Sequence, residues 1–93
     1  MVTNFDLKLS ASQEAMVRQV GEESVILDLK SDRYMGLDPV GTRMWQVLTA
    51  ASSVNAGYEV LLGEFDVEPA QLRADVDDFV QQLVQLELVG LEA

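Results

Sequence analysis

"SDRYMGLDPVGTRMW", residues 31–45, changes periodicity midway, and that change decides how the rest of the chain is read. Over Arg33–Leu37 the side chains alternate, Met35 and Leu37 to one side and Tyr34 and Gly36 to the other, as in a pleated strand. At Asp38 the alternation stops. An aspartate there can accept from the free amides of a first helical turn, and Pro39 just after it gives up no intrahelical bond. Val40, Met44, Val47 and Leu48 then recur at helical spacing, with Trp45 beside them, to about Ala51. A strand runs directly into a helix.

Upstream, "KSD" makes a turn, "VILDL" sets Val25, Leu27 and Leu29 on one face, "GEES" makes another turn, and "EAMVRQV" (Glu14–Val20) forms a further strand. That predicts three short antiparallel strands. Nearer the N-terminus, "FDLKLS" alternates Phe5, Leu7 and Leu9 and admits either a short strand or coil. Downstream, Ser53 can cap a second helix in which Val54, Tyr58, Leu61, Leu62 and Phe65 share a face. Gly57 and Gly63 each weaken it by about 1 kcal/mol relative to Ala. After "DVEP", Leu72, Val76, Phe79, Leu83 and Leu86 trace the apolar stripe of a third helix, with Pro69 in its first turn. Three strands followed by three helices make an α+β fold whose sheet needs the helices to cover its apolar face.

The length, 93 residues, suits one domain, and such a chain buries roughly 60 to 65% of its unfolded surface. With 6 Lys plus Arg against 16 Asp plus Glu, the formal charge of -10 repels phosphate backbones and anionic lipid head groups. Nucleic acid and membrane surfaces are poor partners. Cysteine is absent, which removes disulfides, thiolate nucleophiles and zinc–thiolate sites. No apolar run approaches the roughly 18 residues of a membrane span, and "MVTNFDLKLSASQ" lacks the basic start and apolar core of a secretion signal. The expectation is a soluble cytoplasmic protein.

Three segments in order, "VILDLKSDRYMGLDPVGTRMWQVL", "SVNAGYEVLLGEFDV" and "ADVDDFVQQLVQLELVGL", resemble the PqqD family over about Glu14–Leu91. The resemblance rests on a leucine- and valine-rich strand and an aromatic then a leucine ahead of an Asp cap. A Trp one turn into the first helix and an Asp-Val-x-x-Phe start to the third stripe complete it. One departure is that family members often end the third helix in Gly-Leu, where this chain has Glu87 and a glycine only at Gly90. The resemblance implies a winged-helix-like domain that recognises the leader of a ribosomally made precursor peptide. Such a domain adds the leader as a strand to the edge of its third strand, beside the third helix, and presents it to a processing enzyme. Small free-standing members serve a leader-removing protease in lasso-peptide biosynthesis; other members serve radical or other modifying enzymes. No cofactor is implied.

On that reading "RYMGL" is an edge strand, useful through its unpaired amides and carbonyls. Gly36 would admit a close guest backbone, while Tyr34 packs against guest side chains. Four backbone bonds at a net of about 1 kcal/mol each give only about millimolar affinity, so side chains must supply the rest. The expected peptide-binding residues are Arg33, Tyr34, Met35 and Gly36 on the strand, with Asp75, Asp78, Phe79, Gln82 and Leu83 on the third helix. Its acidic and apolar border suits a peptide with an aromatic or aliphatic anchor and a Lys or Arg. Plainer readings stand beside these. Met35, Leu37, Leu72, Val76 and Leu86 serve as core, and so does Trp45. Phe79 and Leu83 suit core or groove equally, Asp75, Asp77 and Asp78 also fit a solvated helix face, and Gly36 also fits a bend.

Rival classes fare worse. A winged-helix DNA binder needs a basic recognition helix, but Glu64–Ala93 holds eight acidic residues against Arg73 alone. An acyl carrier needs an Asp-Ser attachment site, and none occurs. Enzymatic function is disfavoured because His and Cys are both missing, and adjacent carboxylates such as Glu22–Glu23 or Asp77–Asp78 diverge. "DVEPAQLRADVDD" does not follow calcium-loop spacing. A generic acidic protein-interaction adaptor is the alternative to leader recognition. The open strand also permits either a monomer or a homodimer through that edge.

Overall fold

The computed structural model describes residues 3–93. In chain order the elements are β1 (Lys8–Ala11), β2 (Ala15–Val20), β3 (Glu23–Asp28), β4 (Tyr34–Leu37), α1 (Pro39–Ala50), α2 (Val54–Glu64), α3 (Pro69–Gln85) and β5 (Val89–Glu92). β2, β3 and β4 form the expected antiparallel sheet, in that order. The two-residue link between β2 and β3 starts at Gly21, whose φ of +62° favours glycine in a tight hairpin. Asp28 organises the next turn, accepting from the Lys30 amide at 3.1 Å and the Ser31 hydroxyl at 2.8 Å. The Ser31 hydroxyl is the main reason that its carboxyl titrates below the usual Asp value.

The strand-to-helix switch takes the expected form: Asp38 caps α1, its Oδ1 accepting from the Gly41 amide at 2.7 Å, with Pro39 in the first turn. Ser53 caps α2 through the Ala56 amide at 3.0 Å. Leu9, Ile26, Leu48, Val54, Leu61, Val76, Val80, Leu83 and Leu88 form the fully buried centre of a single core that all three helices share.

Two features depart from the sequence expectation. β1 and β5 pair antiparallel as a second small sheet, from Lys8 opposite Glu92 to Ala11 opposite Val89. The "FDLKLS" alternation therefore ends in a strand, with Phe5 and Leu9 buried. β5 can turn back because α3 ends at Gln85, with no shift toward Gly90: Glu87 itself adopts φ +60°, its amide reaching the Val84 carbonyl while Leu88 reaches that of Leu83, both at 3.0 Å. This is a Schellman closure, with glutamate in the place that favours glycine.

The second departure concerns the sheet's faces. Val25, Leu27 and Leu29 do share a face, but Val25 and Leu29 are exposed, and Ser24, Ile26 and Asp28 are the residues turned to the core. The polar pair is accommodated because Ser24 shares a 2.8 Å bond with the buried Thr42 hydroxyl of α1, and Asp28 is satisfied by its own turn.

Candidate peptide-binding site

β4 is an edge strand, and its hydrogen-bond phase follows from one bond beyond its end. The Asp28 amide donates to the Arg33 carbonyl at 2.8 Å, and these residues continue the register that sets Ile26 opposite Met35 and Ser24 opposite Leu37. Hydrogen-bonded pairs alternate along an antiparallel ladder, so Met35 and Leu37 bond to β3. Tyr34 and Gly36 turn their N–H and C=O groups to the open side. The side chains divide the other way: Leu37 is buried, Met35 packs against the core, and Tyr34 is 70% exposed on the outward face. Beside Gly36 there is open space where a side chain would stand.

At the end of this edge lies a groove of about 400 Å³ between the first turns of α1, the α2–α3 link and α3. Val40, Met44, Phe65, Val67, Leu72 and Phe79 supply its apolar lining, and Asp38, Asp66, Asp75, Asp78 and Gln82 its polar lining. No lysine or arginine lines it. Asp75 accepts from Gln71 at 2.9 Å and Asp78 from Gln82 at 2.9 Å, bonds that brace each carboxylate along α3. The carboxylates are spread, and among the described residues no acidic group is gathered tightly enough to hold a metal. The arrangement offers an extended chain backbone partners on one side and an apolar slot rimmed by negative charge next to it.

Asp75, Asp78, Phe79 and Gln82 thus come together as the sequence suggested, and Tyr34 and Gly36 lie on the open edge. Arg33 sits at the approach to β4, where its carbonyl extends the ladder. Met35 contributes its backbone to β3 and its side chain to the interior. Leu83 is a correction: it is fully buried and offers no surface, because it lies under α3 against the core. Asp77, which the sequence suggests only as part of a solvated helix face, lies away from the groove. It points to the N-terminal segment, accepting from the Thr3 amide at 2.7 Å and Gln81 at 3.0 Å, and these bonds hold its carboxyl below the usual Asp range. Asp38, Val40, Met44, Asp66 and Val67 line the groove although none was among the expected peptide-binding residues. Single-element periodicity does not report which loop lies across from α3, although Asp66–Val67 already pairs an acid with an apolar residue.

The sequence matches the family model described as coenzyme PQQ synthesis protein D (PqqD) over residues 23–89. Among solved structures the chain is similar to "TbiB1 in Complex with the TbiA(beta) Leader Peptide". The identity is 28% and the TM-score 0.80, over 86% of this chain and 93% of that one. Its fold is also that of "Lasso peptide synthetase B1 complexed with the leader peptide", at 23% identity and TM-score 0.79, over 89% of this chain and 98% of that one. No curated protein sequence matches.

Proposed function

Because the chain belongs to the PqqD family, which it matches over residues 23–89, we propose that it recognises the leader segment of a ribosomally made precursor peptide. The leader lies extended along β4, bonded to the outward amides and carbonyls of Tyr34 and Gly36, and sends an apolar side chain into the groove beside α3. The carrying observation is the juxtaposition of that open edge with the acid-rimmed slot. The likeness to TbiB1 and to lasso peptide synthetase B1, both solved with leader peptides, supports the lasso-peptide branch of this chemistry.

In this role the protein is a carrier without catalysis of its own, working in the cytoplasm where precursors are made and handing the leader to a leader-removing protease. The lack of His and Cys supports a binding role over a catalytic one. Among the described residues no helix is long and apolar enough to cross a membrane.

An amide-exchange map recorded with a panel of leader peptides from lasso-peptide precursors tests the reading. Slowed exchange at Tyr34 and Gly36, with perturbed side-chain signals at Phe79 and Met44, is expected. Protection confined to another surface, or none at saturating peptide, overturns it.

A further inference from the structure

The three-stranded sheet has a second open edge, which peptide binding at β4 leaves unused. β2 reads AMVRQV and pairs with β3 alone. The Leu29 amide donates to the Glu14 carbonyl at 2.9 Å, which sets the phase of that ladder: Met16, Arg18 and Val20 face β3 with their backbone groups. Ala15, Val17 and Gln19 therefore turn theirs outward. The Ala15 amide is taken by the Ser12 carbonyl at 3.0 Å, leaving the Val17 and Gln19 amides as outward donors. Met16, Val17 and Val20 are 51, 43 and 70% exposed, an unusual apolar load for one edge strand. Val17 stands opposite Ile26 on the core side yet stays exposed, because the helices pack beneath β3 and β4.

The sequence of the strand selects its partner. Antiparallel pairing about a twofold axis must match outward-facing residues with one another, which allows registers centred on Met16, Val17 or Arg18. Centring on Arg18 sets two guanidinium groups face to face. Centring on Val17 sets Glu14 against Val20 and Arg18 against Met16, with no charge matched. Centring on Met16 sets Glu14 of each copy against Arg18 of the other, Met16 against Met16, and Ala15 against Val17. Among the described residues neither Glu14 nor Arg18 has an ionic partner, the ion pair being Arg43–Glu64.

We infer that β2 pairs with β2 of a second copy in the Met16-centred register. The two three-stranded sheets then join into one, with β4 at each outer end and both peptide edges free. The interface is short, and each copy carries a net charge of -10, so association is weak, with dissociation on the order of 0.1 to 1 mM.

Sedimentation equilibrium of the full chain up to about 1 mM tests this, that being the top of the expected range. At that concentration the wild type should reach a weight-average mass of about 1.5 to 1.8 times the monomer's. Arg18→Glu and Glu14→Arg should each be monomeric, since each opposes like charges twice, and the double swap should restore the dimer. Val17→Pro, which removes an outward donor and no bond to β3, should be monomeric with an unchanged circular dichroism spectrum. A wild type that stays monomeric overturns the inference. So does a double swap that fails to restore what the single changes lose, or single changes without effect. So does a dimer whose concentration-dependent amide shifts fall at Tyr34 and Gly36 instead of Val17 and Gln19, or a Val17→Pro variant that loses leader peptide binding, which would give this edge to the peptide.

Discussion

Glu87 occupies a left-handed backbone position at φ +60°, where an L side chain costs roughly 1 to 2 kcal/mol that glycine avoids. Glu87→Gly should therefore stabilise the fold by about 1 kcal/mol, read as a higher urea midpoint with an unchanged slope. The two glycines of α2 should behave oppositely. Gly63 has open space around it, and Gly63→Ala should add about 1 kcal/mol through helix propensity. A Cβ on Gly57 would stand 2.6 Å from Leu48 Cδ2 and 3.2 Å from its Cα, so Gly57→Ala should destabilise by roughly 1 to 3 kcal/mol despite the same propensity gain. Equal shifts for both would mean that the α1–α2 contact is looser than described. Protonation acts at this scale too. Ser31 beside Asp28, Arg43 beside Glu64 and Thr3 beside Asp77 hold these carboxyls below their ordinary values of 3.8, 4.5 and 3.8. A group depressed in the folded state stabilises it above the unfolded pKa and loses that contribution as pH falls through the folded one. Stability should be level above about pH 5 and drop below it, with Asp77→Asn showing a shallower drop in a Trp45 fluorescence titration.

β4 shows how an element carries two functions on alternate residues. Met35 and Leu37 hold it to β3, while Tyr34 and Gly36 present the backbone of the open edge. Proline substitution separates these roles. Met35→Pro removes a ladder bond and should lower the unfolding midpoint markedly. Gly36→Pro removes an outward donor and should leave the midpoint nearly unchanged while weakening leader binding at least several-fold in fluorescence polarisation. Comparable affinity for Gly36→Pro and wild type would sink strand addition. The element's existence, start and cap were legible in "RYMGLDP", and so was the division of its side chains. β1 was legible only as one of two readings of "FDLKLS" and β5 not at all, because four-residue strands at opposite ends of the chain carry almost no local signal until they meet. Glu87 even masked the turn that brings them together, since a glycine would have marked it.

Across the whole molecule, electrostatics adds to what the edge offers. The net charge of -10 and the carboxylates of Asp38, Asp66, Asp75 and Asp78 around one groove favour a leader with a Lys or Arg near its apolar anchor. Reversal at Asp75→Lys with Asp78→Lys should reduce affinity for such a leader on the order of 10-fold at low ionic strength and much less at high salt. Identical titrations for both proteins at both salts would leave the groove with shape alone. The sequence by itself determined the strand-to-helix switch at Asp38, the helical stripes, the acidity and half of the groove, since each is a property of neighbouring residues or of composition. Only the tertiary structure decided which sheet face is covered, where Ser24 meets Thr42 and leaves Val25 and Leu29 outside. It also decided that Leu83 lies beneath α3, and that Asp66 and Val67 lie across from Asp75 and Phe79. Periodicity states which residues share a face; which face is buried depends on what packs against it from elsewhere in the chain.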